Sequence, residues 1–210
     1  MVLVVCALPQ KGLCQTPSEI ASLVDLFEAT GRSTWSDNRK WNIGTPCGNK
    51  WYGVTCINVA SVLRVTKLRL SNNNLKGTIP SSISNLNALT TLDLSSTSIS
   101  GTIPSSIGNL KALTALLLHD CSLTGPIPPA IANVTKLNIL TLFDNSFTGT
   151  LPAGTCASCQ LMYIHKNQIG GSLPSFTNYS QLQNLSIFQN NFKGILELPS
   201  ESVIQVLIPI

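Results

Sequence analysis

Residues 89–104 read LTTLDLSSTSISGTIP, and residues 113–128, 24 positions on, read LTALLLHDCSLTGPIP. Four more stretches obey the same spacing: VTKLRLSNNNLKGTIP at 65–80, LNILTLFDNSFTGTLP at 137–152, CQLMYIHKNQIGGSLP at 159–174 and LQNLSIFQNNFKGILE at 182–197. Gly77, Gly101, Gly125 and Gly149 recur every 24 residues with Pro three positions later; Gly171 with Pro174 follows after 22, and Gly194 after 23 without Pro. All six fit LxxLxLxxNxLxGxIP. A fixed period of this length signals a solenoid of stacked coils.

The letters have physical reasons. Strand side chains alternate faces, so both leucines of LxL point the same way. This predicts an inward pair in each coil: Leu68 and Leu70, Leu92 and Leu94, Leu116 and Leu118, Leu140 and Leu142, Met162 and Ile164, Leu185 and Ile187. A Leu-sized side chain contributes roughly 1.5–3 kcal/mol when fully buried. One coil cannot bury its own face, so neighbours must stack. Asn73, Asn145, Asn167 and Asn190 occupy the N position, where a side-chain amide can bond backbone groups left unpaired as the chain leaves the strand. Thr97 and Cys121 replace Asn in coils two and three. Both still donate, so Cys121 reads as a member of that ladder and not as a reactive thiol.

The repeat resembles the plant-type leucine-rich repeat over about residues 62–197. Ahead of it, WSDNRKWNIGTPCGNKWYGVTC at 35–56 resembles the N-terminal cap of those proteins, carried by Cys47, Trp51, Gly53, Val54 and Cys56. The resemblance implies an α/β fold: a right-handed solenoid with a parallel β-sheet on its concave face and a helical cap. It also implies a Cys47–Cys56 disulfide, as suits a secreted module. Residues 17–31 read as the cap helix, with Ser18 as N-cap, Glu19 in the first turn, Ile20, Leu23, Val24 and Phe27 at helical spacing and Gly31 just past the end. The organisation is then a signal segment at 1–15 lacking a basic n-region, a cap at 16–61, six repeats at 62–197, and at 198–210 the start of a further repeat. There Val203, Val206 and Ile208 fit LxxLxL again. No closing cap follows, so a truncated gene product or a fragment is expected. The receptor family would add repeats, a membrane helix and sometimes a kinase.

Function is expected where the copies differ. Residues flanking the inward pairs project from the concave face in columns, one per coil. One column reads Ser71, Ser95, His119, Phe143, His165, Phe188. Another, two residues earlier, reads Arg69, Asp93, Leu117, Thr141, Tyr163, Ser186. The early coils are small and polar. The later ones bring together Leu117, His119, Ile139, Phe143, Leu161, Tyr163, His165 and Phe188, edged by Asp120, Asp144 and Lys166. An exposed aromatic and apolar patch marks a contact surface. The two histidines stand two coils apart with Phe143 between them, too far for a shared metal, and a pH-responsive contact suits them better.

Cys156 and Cys159 lie in the shortened coil, with Cys159 at an inward position. An i, i+3 disulfide and two reduced buried thiols are both open there. Sequons occur at Asn133, Asn178 and Asn184. Asn184 borders the concave sheet and is expected to carry glycan less often.

Charged residues are 10% of the chain, hydrophobic residues 43%, and the net charge is +4 without a basic run. That gives no nucleic-acid footprint. No run reaches the roughly 18–20 apolar residues of a membrane helix. No catalytic motif, cofactor site or metal site is present. The expected role is therefore an extracellular, non-enzymatic recognition module for a peptide, glycan or protein ligand in receptor signalling or defence. The alternatives are an inhibitor of a secreted cell-wall-degrading enzyme, resembling polygalacturonase-inhibiting proteins, and a surface adhesion or antigen protein.

Overall fold

A computed structural model describes residues 14–198 and 205–206. Of the signal segment read at 1–15, residues 1–13 lie outside the described residues, as do Val203 and Ile208, whereas Cys14–Gln15 form a short strand paired with Val62–Leu63.

The inward leucines line up as the period requires. Leu68, Leu92, Leu116, Leu140, Met162 and Leu185 face one another across successive parallel strands. Those strands are Val62–Arg69, Thr91–Asp93, Ala115–Leu117, Ile139–Thr141, Leu161–Tyr163 and Asn184–Ser186, here called rungs one to six. Gln205–Val206 continues the sheet in register with Asn184–Leu185. All six of these side chains are fully buried, as are Leu70, Leu94, Leu118, Leu142 and Ile164, while Ile187 is partly buried.

The outer wall holds more order than the repeat pattern suggested. Short 3-10 helices at Ser81–Asn85, Ser105–Asn109 and Pro129–Asn133 bury Ile83, Ile107 and Ile131. A second parallel sheet joins Lys76–Thr78, Ser98–Gly101, Ser122–Pro126 and Ser146–Thr148, just ahead of the consensus Pro of each coil. It stops where the coil shortens. Gly170–Ser172 pairs instead with Asn191–Lys193, and a single bridge, Thr150 to Gly170, spans the gap.

The shortened coil replaces its 3-10 helix with a run of turns at 153–158. The turn that precedes each strand survives. Leu86–Leu89, Leu110–Leu113, Val134–Leu137, Cys156–Cys159 and Tyr179–Leu182 each close with the same i+3 N–H to i C=O bond. Both cysteines thus occupy positions that are apolar in the other coils, buried at 2% and 0% exposure, and their sulfurs are bonded. Cys156 is left-handed there at φ 56°, whereas Leu86 and Leu110 lie at −77° and −78°.

The Asn ladder works as a backbone relay. Asn145 donates to Leu118, Leu142 and Phe143 carbonyls and accepts from Leu123 N–H at 2.9 Å. Asn167 and Asn190 repeat the pattern, accepting from Phe147 and Ile169. Thr97 donates to Leu94 C=O at 2.7 Å and lies 3.5 Å from Cys121 Sγ, which also makes long contacts to Leu94 and His119 carbonyls.

The cap closes the first rung. Its helix runs Pro17–Ala29, with Thr16 and not Ser18 at the N-cap, and Pro17 in the first position. Pro tolerates that position because its missing N–H would be unpaired anyway. Gly31 adopts φ 70° just past the end, as read from sequence. The buried face is Glu19, Ser22, Leu23, Leu26 and Phe27. Glu19 is fully buried and accepts from Arg64 Nε at 2.7 Å and from Val65 N–H at 3.3 Å, clamping the helix to rung one. Phe27, Trp35, Trp41 and Trp51 pack as one cluster, and each indole N–H finds a carbonyl. Val54–Val59 pairs antiparallel with rung one, Cys47 is bonded to Cys56, and Cys14–Gln15 adds a parallel strand at Val62–Leu63. Gly77 must be glycine: at φ 134° a Cβ would collide with Ala29 C=O where the helix end meets the first coil.

Candidate functional site

The concave face is set by backbone pairing that continues past each strand. Ser96, Asp120, Asp144 and Lys166 N–H groups donate to the carbonyls of His119, Phe143, His165 and Phe188 on the next rung. Each of these donors is left-handed, at φ 51–53°, and so is Gln189 at 50°. Non-glycine residues rarely adopt this conformation. Its recurrence at one position turns the chain away from the sheet identically in every coil, and so fixes the residue just before it in a column.

On rungs three to six that column is a stack of rings. His119 lies on Phe143 at 4.5 Å between centroids, Phe143 on His165 at 4.6 Å and His165 on Phe188 at 4.4 Å, with planes within 19° of parallel. Phe143 and His165 therefore have both faces covered and offer the concave side their edges. Tyr163 meets His165 edge-on at 6.1 Å. Leu117, Ile139, Leu161 and Tyr163 flank the stack, half-buried. On its other side Lys166 pairs with Asp144 at 3.2 Å, and Asp120 is exposed with no ion pair among the described residues. The eleven concave residues read from sequence thus share one face.

Two members of the outward columns do something else. Thr141 and Ser186 are buried, at 6% and 0% exposure. Thr141 Oγ1 bonds His119 Nδ1 and Ser186 Oγ bonds His165 Nδ1, both at 2.8 Å. Column position alone makes them look solvent-facing; in the fold each lies against the imidazole of the preceding rung. A usable signal did exist: each His is followed, one rung on and two residues earlier, by a short Ser or Thr hydroxyl, whereas Phe143 is followed there by the large Tyr163. Burial pushes the His165 imidazole below its usual pKa, with Lys166 adding to the fall and Asp144 and Asp120 opposing it. Burial raises the Cys121 thiol, keeping it protonated in the ladder.

The sequon asparagines divide by place. Asn133 and Asn178 are exposed on the outer side, while Asn184 lies within rung six and its sequon hydroxyl, Ser186, is the buried partner of His165. Among the described residues no helix is long and apolar enough to cross a membrane.

Residues 64–123 match the family described as leucine rich repeat. A stretch of 49 residues is 43% identical to a probable leucine-rich repeat receptor-like protein kinase of Arabidopsis thaliana, covering 23% of this chain and 5% of that protein. The fold superimposes on the leucine-rich-repeat ectodomain of the receptor kinase SOBIR1 from Arabidopsis thaliana with a TM-score of 0.72 at 26% identity, over 90% of this chain and 99% of that one. A plant peptide hormone receptor, RGFR1, solved in complex with RGF2, aligns at TM-score 0.57 and 30% identity over 67% of this chain and 27% of that one. Six coils built on one pattern, a cysteine-paired cap and these matches together give the chain a leucine-rich-repeat solenoid fold similar to that of plant receptor-kinase ectodomains.

Proposed function

We propose that this chain is an extracellular recognition module of a receptor system, taking up a peptide or protein partner on the concave face of rungs three to six. The observation that carries the reading is the ring stack His119–Phe143–His165–Phe188. Its residues are not needed to close the core, which the inward leucines already fill. Large, pre-ordered aromatic side chains at the centre of a face supply most of the energy in protein interfaces. The resemblance to a peptide hormone receptor and to a receptor-kinase ectodomain supports the same class of role.

The test is a screen of the purified chain against arrays of synthetic peptides and of cell-wall oligosaccharides, with F143A/Y163A alongside. The expected result is a set of peptide hits that the double variant binds at least about 30-fold more weakly, the loss of a hot spot worth ~2 kcal/mol, while remaining folded by circular dichroism. Hits that bind the variant undiminished would remove the concave face from the account. Hits confined to oligosaccharides would change the ligand class.

A further inference from the structure

The hydrogen bonds beneath the ring stack fix what it can recognise. Ser186 Oγ is fully buried, and its partner is His165 Nδ1. If that hydroxyl accepted an Nδ1–H, its own proton would be stranded in the interior, which costs about 1–3 kcal/mol. Donating to Nδ1 satisfies both atoms and leaves the ring proton on Nε2. Thr141 sets His119 the same way. Neither Nε2 has a partner among the described residues and neither is a buried orphan, so both reach the concave solvent. The face therefore presents two fixed N–H donors, with the edge of Phe143 between them.

These donors stand two rungs apart, about 9–10 Å at the spacing of paired strands. A polyproline II chain repeats each face every three residues, about 9.3 Å. An extended strand repeats its face at about 6.6–6.8 Å and falls out of step. Because Phe143 and His165 are covered on both faces, they have no open ring plane on which a sugar could stack. The flank supplies charge: Asp144 is neutralised by Lys166, whereas Asp120 has no ion pair among the described residues.

We infer that the occupant is a proline-rich segment in the polyproline II conformation, whose carbonyls three residues apart accept from His119 and His165 Nε2–H and whose basic side chain meets Asp120. This rests on the concave-face reading and names its ligand class. Buried hydroxyls orient the imidazoles, the ring edges pack against pyrrolidine rings, and the pre-formed helix of the ligand lowers the ordering cost of binding.

The probes are decaproline with one Lys, decaproline with one Glu, and a Gly/Ser decamer with one Lys, titrated by fluorescence anisotropy. The donors are removed by His119→Phe with Thr141→Val and His165→Phe with Ser186→Ala, which keep the rings and leave no hydroxyl stranded. The Lys-proline peptide should bind at least tenfold more tightly than either comparator. Each donor deletion should weaken it roughly threefold to tenfold, with the melting temperature held. Asp120→Asn should abolish the preference for Lys over Glu. Equal binding of the Gly/Ser peptide, undiminished binding by the all-Phe ladder, or no binding of the Lys-proline peptide overturns the inference. If array hits without proline still depend on Phe143 and Tyr163, the ligand class falls while the concave-face reading stands; if no hit depends on them, both fall.

Discussion

Rungs one and two share their backbone with rungs three to six and differ in what stands on it. At the same column position the early rungs carry Ser71 and Ser95, and the later ones His119, Phe143, His165 and Phe188. Beneath both, the inward side chains are fully buried except Ile187 on rung six. The repeat therefore constrains one set of positions by packing and leaves another free to vary. Specificity can be written onto the outward columns with less effect on the coil than a core change has, because the ladder bonds and core contacts come from other groups and the outward side chains add only their own stacking and hydrogen bonds.

That separation can be attacked from either side. Leu92→Ala and Leu116→Ala, one from each half, should both lose about 2–5 kcal/mol of stability in a denaturant titration. A much smaller loss at Leu116 would mean that the ring stack, and not the core, holds the later rungs. Phe143→Ala alone should cost about 1–3 kcal/mol in the same titration, since it removes two stacked contacts of roughly 0.5–1.5 kcal/mol each, with a larger proportional effect on ligand affinity. Cys121→Asn should stabilise by about 0.5–1.5 kcal/mol. An amide there could accept from Ile99 N–H as Asn145 accepts from Leu123, closing the weakest stretch of the ladder where the two halves meet. An unchanged midpoint would show that the sulfur contacts already suffice.

A smaller effect concerns pH. Burial holds the His165 pKa below its unfolded value of about 6.5. The unfolded chain therefore takes up that proton first as pH falls. Stability from this group is complete above the unfolded value and declines as pH drops toward the folded one. His165 faces Asp144, Lys166, Asp120, Tyr163 and Ser186. Replacing it by Phe, with Ser186→Ala, should flatten the melting temperature between pH 7.5 and 5; an unaltered slope would assign the pH dependence elsewhere.

Most of the scaffold was legible because period and polarity are local signals. Spacing alone placed every inward leucine, the left-handed Gly31 and the columns of the concave face. What escaped depends on contacts between distant residues. Glu19 reads as a first-turn acid, yet it is buried against Arg64, 45 positions away. The outer sheet is hard to read in Lys76–Thr78 and its equivalents, which are three to five residues long, too short for alternation to register as a strand; stacking creates those strands. Thr141 and Ser186 sit in outward columns yet are buried, each bonded to the histidine of the preceding rung, a contact that column position does not reveal. Leu26 completes the buried helix face beside Leu23 and Phe27, a neighbour that the apolar spacing passed over.

The claim that recognition belongs to the ring-bearing rungs and not to the coil as such is tested most directly by one paired titration. Array hits are measured by calorimetry against F143A/Y163A and against Ser71→Ala, its counterpart on the polar rungs. The expected result is a loss of about 30-fold or more in the first and no change in the second. Equal affinity in both variants, or a loss in the first that merely follows its unfolded fraction, would contradict it.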